Sequence, residues 1–293
     1  MEVRTAGDLG YCSGVSQAIT KVAAYARDNG PVSSLGTIAH NEQVVEFLRA
    51  CGVEPIKPEE MLPAQHVAIT AHGSPPWVYE KIEELGCASV DCTCPIVKKV
   101  QKTVAGLHDQ GFDIIIFGDP GHQEVKGLVG WAKGNAKFVG VWHDLFIPGG
   151  ELVELKLERA GVVSQTTQVP EAYSDFVATL THHHLDEVEE LRIVNTVCPI
   201  VASRVNEARK LAGEVDIMFV VGSQESANTN NLAKVCTEVR GTGGVLIVQG
   251  PDQVHHGGYG WWDTARGKKV GVTAGTSTPI EMVEAVVEKL REI

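Results

Sequence analysis

The chain has no apolar run long enough to cross a bilayer; stretches such as "DIIIFG" and "DIMFVVG" are only strand-length. Its N-terminus, "MEVRTAGDLG", lacks the charged and apolar pattern of a signal peptide. A cytoplasmic protein without a membrane partner is therefore expected. Positive charge is also scarce, with 25 Lys and Arg against 37 Asp and Glu and a formal net charge of -12. Nucleic-acid backbones are held by clustered basic side chains, so a nucleic-acid partner is excluded as an expectation. Any anionic ligand must meet a local site. Low-complexity tracts are absent, as are Cys-x-x-Cys and the Gly-x-Gly-x-x-Gly dinucleotide fingerprint. Neither a local zinc finger nor a dinucleotide of its own is expected.

The sequence has 293 residues, 43% hydrophobic and 21% charged, an ordinary globular composition with room for two or three domains. Strand-like and helix-like segments alternate, which predicts an α/β fold with parallel sheets. Cys-Pro-Ile-Val occurs at 94–97 and again at 198–201, each time where a β-prone run gives way to a helix-prone one. After each cysteine come an amphipathic helix, Asp, an apolar strand, Gly, a polar turn and a helix. The segment from Cys12 follows the same order with a weaker strand. Each then adds another strand, polar loop and helix, so the chain is a threefold repeat with expected units 1–93, 94–197 and 198–293. The separations Cys12 to His40, Cys94 to His122 and Cys198 to Ser226 are each 28 residues. Equivalent loops at those three positions are expected.

Seven cysteines in a cytoplasmic chain argue against a disulfide framework. Cys51, Cys87 and Cys236 have no equivalents among the repeats and read as packing residues; Cys92 reads as a packing residue on its strand. Cys12, Cys94 and Cys198 are in register. Closure around a pseudo-threefold axis would bring these three thiolates together with no fourth ligand. Such a set suits an iron-sulfur cluster with one open iron, or a catalytic zinc with a bound water. Ligand softness leaves both open.

Six loops following expected strands hold His40-Asn41, Ala71-His72-Gly73, Gly121-His122-Gln123-Glu124, Gln165-Thr166-Thr167, Ser226-Ala227-Asn228 and Gly275-Thr276-Ser277. Histidines, hydroxyls and an amide beside helix N-termini suit a compact anion such as a phosphate or diphosphate. Glu124 is unhelpful for binding an anion. A carboxyl raised by desolvation can deliver a proton at neutral pH, so Glu124 is the expected proton donor. "TPIE" from Thr278 reads as a capping box. His182, His183 and His184 read as solvated, because contiguous residues do not share a helix face.

In order and spacing, "GYCSGV", "AHNEQVV", "TAHGSP", "DCTCPIVKKV", "GHQEVKG", "SQTTQ", the cysteine of "NTVCPIV", "VVGSQESANTNNL" and "GVTAGTSTP" resemble the LytB-type 4-hydroxy-3-methylbut-2-enyl diphosphate reductases. These enzymes end the methylerythritol phosphate route to isoprenoids, and the resemblance runs over essentially the whole chain. It implies three pseudo-threefold-related α/β domains in a trefoil around a central 4Fe-4S cluster. Cys12, Cys94 and Cys198 would hold that cluster and leave one iron open to substrate. It implies an allylic diphosphate surrounded by His40, His72, His122, Ser226, Asn228 and Ser277. Thr166 would contact the substrate hydroxyl and Glu124 would relay protons, with His122 beside them in the catalytic group. Loss of the C4 hydroxyl with two electrons and two protons would give isopentenyl and dimethylallyl diphosphates. Ferredoxin or flavodoxin would donate the electrons. The rival readings are a zinc hydrolase of a phosphorylated substrate, with Glu124 as base, and a non-catalytic iron-sulfur electron carrier. One departure concerns the cradle: where the family often has Ser-Ser-Asn, this chain has Ser226-Ala227-Asn228. The basic residues often found after the first cysteine motif are also replaced, by "GVSQAI".

Overall fold

Among the residues that the computed structural model describes, 2–145, 155, 157–256 and 267–292, twelve strands form three four-stranded sheets in which every pairing is parallel. In chain order the strands are β1 (Glu2–Thr5), β2 (Val32–Leu35), β3 (Val53–Ile56), β4 (His66–Ile69), β5 (Ala88–Asp91), β6 (Asp113–Phe117), β7 (Ala136–Gly140), β8 (Arg159–Ser164), β9 (Glu190–Ile193), β10 (Ile217–Val221), β11 (Val245–Val248) and β12 (Lys269–Ala274). The sheet orders are β3-β2-β4-β5, β7-β6-β8-β9 and β11-β10-β12-β1. All three share one topology. The molecule is thus an α/β protein with three parallel-sheet domains.

In the first two sheets the last strand is the one preceding the next cysteine, β5 before Cys94 and β9 before Cys198. In the third sheet β1, which precedes Cys12, takes that place, with Val3 opposite Val270. The repeat therefore closes circularly. We propose 1–93, 94–197 and 198–293 as the repeat units with this one exchange of a strand. By packing, the chain divides into two compact units: residues 1–16, 39–47 and 199–293, which hold the third sheet, and residues 17–38 and 48–198, which hold the other two.

The central strands β6 and β10 are apolar apart from Asp113, as expected where helices cover both faces of a parallel sheet. In β6, Ile114 and Ile116 join Val100, Val104, Val125 and Leu128 on one face, while Ile115 and Phe117 pack with Val162, Tyr173 and Phe176 on the other. Each such side chain, fully buried, contributes about 1.5–3 kcal/mol. The third sheet repeats this with Phe219, Val221 and Val272 against Val283, Val286 and Leu290.

The helices that matter for function are α1 (Ser13–Asn29), α2 (Glu42–Ala50), α3 (Pro76–Glu84), α4 (Pro95–Asp109), α5 (Gln123–Trp131), α6 (Pro170–His184), α7 (Pro199–Glu214), α8 (Ala227–Arg240), a short α9 (Pro251–His256) and α10 (Ile280–Arg291). The repeated Cys-Pro is explained by α4. Cys94 is its N-cap residue and Pro95 its first helical residue, where proline's fixed φ fits and its missing N–H is no loss. α7 likewise begins at Pro199, directly after Cys198. No helix among the described residues is long and apolar enough to cross a membrane.

Candidate functional site

Each cysteine in register is tied to a loop at the same place. The Cys94 N–H donates to Ala71 O at 3.0 Å, that of Cys198 to Thr166 O at 2.9 Å and that of Cys12 to Thr276 O at 3.1 Å. All three acceptors lie two residues beyond the ends of β4, β8 and β12. None of the three cysteines is in a disulfide, and each is half-buried and directly precedes a helix, whose positive end suits a negatively charged ligand. An all-sulfur set of three fits a cluster that takes one thiolate per iron and leaves one iron open. By contrast, burial pushes the Cys92 thiol up to about 11 and the Cys236 thiol up to about 12. Both are packing residues. Cys92 lies one residue past the end of β5 instead of on the strand. Cys51 and Cys87 are half-buried.

After β2, β6 and β10 the chain turns through Gly36, Gly118 and Gly222. The amides of these residues donate to Ile56, Gly140 and Val248 at 2.8, 2.9 and 2.9 Å. A Cβ on Gly118 would lie 2.8 Å from Gln165 Cβ, so only glycine allows this approach. Gln165 is sealed from solvent and its Oε1 accepts from the Asp119 N–H, which joins the loop after β6 to the loop after β8.

Those two loops bring a buried carboxyl and a hydroxyl together. Glu124, in the first turn of α5, is 2% exposed. Its carboxylate accepts the Thr166 N–H at 2.7 Å on Oε1 and the Thr166 hydroxyl at 2.8 Å on Oε2. Burial lifts its pKa to about 7, although both hydrogen bonds from Thr166 pull the other way. Thr166 also holds Cys198 through its carbonyl, so one residue links carboxyl and thiol. His122 is the N-cap of α5, accepting the Glu124 N–H on Nδ1 at 3.2 Å. That bond leaves Nε2 to carry the ring proton as a donor. The rings of His72 and His122 meet edge to face, 5.4 Å between centroids.

In the other compact unit, His40, Ser226, Asn228 and Ser277 come from three loops. The Ser277 hydroxyl donates to the His40 carbonyl at 3.2 Å. Burial lowers the His40 pKa, opposed by the charge of Glu225. Ser226 caps α8, accepting the Thr229 N–H at 3.4 Å. Asn228 is 2% exposed, yet neither its Oδ1 nor its Nδ2 meets a hydrogen-bond partner among the described residues. A buried amide with both ends open is costly unless a ligand or water answers it.

Several expectations need correction. The equal spacing does not give equal loops: His122 and Ser226 cap their helices, whereas α2 is capped by Asn41, whose Oδ1 takes the Gln43 and Val44 N–H groups at 3.0 and 3.2 Å. The first loop is one residue longer, which moves His40 off the cap. "TPIE" is not a capping box. Thr278 is buried with its hydroxyl on Val221 O, and Pro279 stands at the N-cap of α10. His182 and His183 are exposed, but His184 is buried, its Nδ1 3.4 Å from Glu187. It is drawn inward by the apolar residues Leu180, Val188 and Leu191 around it.

The family model described as LytB protein matches residues 3–291. The 4-hydroxy-3-methylbut-2-enyl diphosphate reductase of Dehalococcoides mccartyi (strain ATCC BAA-2266 / KCTC 15142 / 195) is 36% identical over 280 residues, covering 95% of this chain and 93% of its own. That of Geotalea uraniireducens (strain Rf4) is 36% identical over 295 residues, covering 100% and 98%. A solved structure of (E)-4-hydroxy-3-methyl-but-2-enyl diphosphate reductase, the terminal enzyme of the non-mevalonate pathway, is 32% identical over the whole of both chains with a TM-score of 0.67. The Plasmodium falciparum E-1-hydroxy-2-methyl-but-2-enyl-4-diphosphate reductase, 22% identical, has a TM-score of 0.85 over 98% of this chain and 87% of its own, a likeness of fold.

Proposed function

The chain belongs to the LytB family, and on that footing we propose that it reduces 4-hydroxy-3-methylbut-2-enyl diphosphate to isopentenyl and dimethylallyl diphosphates, consuming two electrons and two protons and releasing water. The observation that carries this reading is the Glu124–Thr166 pair. It is a buried carboxyl with a pKa of about 7 on a hydroxyl whose own carbonyl holds Cys198.

Cys12, Cys94 and Cys198 would hold a 4Fe-4S cluster. When bound, the cluster supplies the electrons and an open iron for the substrate hydroxyl. The rest of the work falls to side chains. With its pKa lifted to about 7, Glu124 can hold a proton near neutral pH and give it to Thr166 Oγ1 while the threonine passes on its own. His122, with Nδ1 occupied by the Glu124 amide, offers Nε2–H to an anion. Asn228 offers its buried amide, with Ser226, Ser277, His40 and His72 as further polar contacts for the diphosphate. Ala227 is the first residue of α8, and its backbone N–H is among the donors a helix N-terminus leaves open. The missing hydroxyl therefore removes one contact and leaves the anion-binding end of the helix in place. An external donor such as ferredoxin or flavodoxin would deliver the electrons in the cytoplasm.

The deciding experiment is anaerobic turnover of 4-hydroxy-3-methylbut-2-enyl diphosphate by cluster-replete protein with a reduced viologen dye, following dye oxidation and both products. Formation of both diphosphates with two dye electrons per molecule supports the reading. Phosphate release without electron uptake would point to a zinc hydrolase, and a reducible cluster without turnover to an electron carrier.

A further inference from the structure

Among the described residues Arg204 is the bulkiest fully buried side chain, 1% exposed. A guanidinium sealed from water is tolerated only where hydrogen bonds answer it. All of its answers lie around Cys12. Nη2 donates to the Gly10 carbonyl at 2.8 Å and to Asp8 Oδ1 at 3.3 Å. Nε reaches Asp8 Oδ2, and Nη1 reaches the carbonyl of Ala274, each at 3.4 Å. Gly10 lies two residues before Cys12, and Ala274 lies two before Thr276, whose carbonyl takes the Cys12 N–H. One planar group thus holds both sides of that hydrogen bond. A turn further along α7, Glu207 Oε2 accepts the N–H groups of Gly7 and Asp8, both at 3.0 Å. Gly10 itself has φ +79°, and a Cβ there would stand 3.2 Å from Ile280 Cβ, so the turn is shaped for glycine alone.

The repeats contain weaker versions of the same grip. On α1, the helix after Cys12, Lys21 Nζ donates to the carbonyl of Asp91, three residues before Cys94, at 2.8 Å. On α4, the helix after Cys94, Val100 and Val104 belong to the cluster against which Val194 packs, four residues before Cys198. Each helix that follows a cysteine holds the segment that presents the next one. In the α7 case that segment follows β1, and there the hold is ionic and doubled.

We propose that Arg204, assisted by Glu207, is a positioning residue for Cys12: it fixes the turn at 7–12 so that the Cys12 thiolate stays on its metal. This rests on the reading of Cys12 as a cluster ligand. Residues that orient ligands commonly change metal affinity 10–100-fold when altered.

The test uses the full chain carrying R204M, which keeps much of the stem volume, with R204K as the conservative rescue. In cluster-free protein, amide exchange should quicken in the peptide spanning 7–12, Cys12 N–H included, and stay at the wild-type rate around Cys94 and Cys198. In reconstituted protein, iron loss to a chelator under nitrogen should be about tenfold faster than in wild type. R204K should fall between the two. Unchanged exchange at 7–12 overturns the positioning role, and faster exchange with unchanged iron loss overturns its bearing on the ligand. If R204M exchanges fast everywhere, E207Q, which keeps Arg204 and loosens the grip on Gly7 and Asp8, takes its place with the same two readouts. Wild-type protein that takes up no cluster would instead refute the ligand reading, while the exchange result would still judge the grip on the turn.

Discussion

Thr166 holds the Glu124 carboxylate with both its N–H and its hydroxyl, at 2.7 and 2.8 Å, while its carbonyl accepts the N–H of Cys198. One residue therefore fixes both the proposed proton donor and a proposed metal ligand, and its hydroxyl is placed to receive a proton from the carboxyl as it gives one up. Thr166→Val keeps the backbone bonds and removes only the hydroxyl. Turnover should fall by about 10²-fold or more while cluster content stays that of wild type, and Thr166→Ser should restore most of it. Equal rates for the Val and Thr proteins in the viologen assay would remove the hydroxyl from the proton path.

The raised pKa of Glu124 has a sign that stability measurements can read. Folding moves this carboxyl from an ordinary 4.5 up to about 7. Between those values the folded protein keeps a proton that the unfolded chain has released. Stability thus falls as pH rises through that window, by roughly 3 kcal/mol in all. Glu124→Gln has no proton to lose, and its amide can still accept the Thr166 N–H and donate to the hydroxyl. Its stability relative to wild type should grow from pH 4.5 to pH 8 by about that amount, while turnover drops about 10²- to 10⁴-fold. Urea unfolding at the two pH values checks this; a difference that does not change with pH would mean that the carboxyl stays ionised throughout.

Much of this was legible in the sequence because period and repeat leave their mark on every residue. The triple register of Cys12, Cys94 and Cys198 predicts three like sheets, and the apolar runs of β6 and β10 predict strands covered on both faces. What escaped is what depends on distant partners. That β1 belongs to the last sheet follows from circular closure, to which no local pattern points. The 28-residue spacing hides one extra residue before α2, because Asn41 caps as readily as a serine. Thr278 looked like a cap by composition, but a buried hydroxyl takes whichever carbonyl is nearest, here Val221. Arg204 carries little local signal, since a lone arginine on an amphipathic helix reads as solvated. A faint one was the polar residue on the face of α7 that is apolar in α4.

Two neighbouring cysteines offer a sharp contrast. Cys92 is buried and its thiol is pushed up to about 11, while Cys94 is half-buried at the start of α4. Cys94→Ser should abolish the cluster, and Cys92→Ala should leave iron and sulfide at wild-type content with a stability loss of about 1 kcal/mol from the small cavity. Equal iron in the two variants would sink the assignment of Cys94.

Ala227 stands at the first position of α8 in place of a common serine. Ala227→Ser should tighten diphosphate binding if the hydroxyl reaches the anion, by up to about 1.5–3 kcal/mol for a hydrogen bond to a charged group, read as a lower KM at unchanged kcat. An unchanged KM would show that the helix N–H groups already satisfy the ligand there.

The proposed diphosphate contact at Asn228 rests on a buried side chain left unanswered among the described residues. Asn228 is 2% exposed with both amide atoms unanswered among the described residues, an arrangement that costs about 1–3 kcal/mol in the ligand-free protein. That cost is recovered when a diphosphate supplies acceptors for Nδ2, so binding should raise the unfolding temperature of the wild type. Asn228→Ala removes the cost together with the contact. Without ligand the variant should be about as stable as wild type, because relief of the stranded amide offsets the lost packing. With inorganic pyrophosphate its gain in unfolding temperature should be much smaller, and its KM for substrate should rise about 10- to 100-fold at little change in kcat. Thermal unfolding of both proteins over a pyrophosphate titration separates the cases. Equal gains would place the anion elsewhere, and a large loss of stability without ligand would mean that Asn228 is bonded in the folded protein through ordered water.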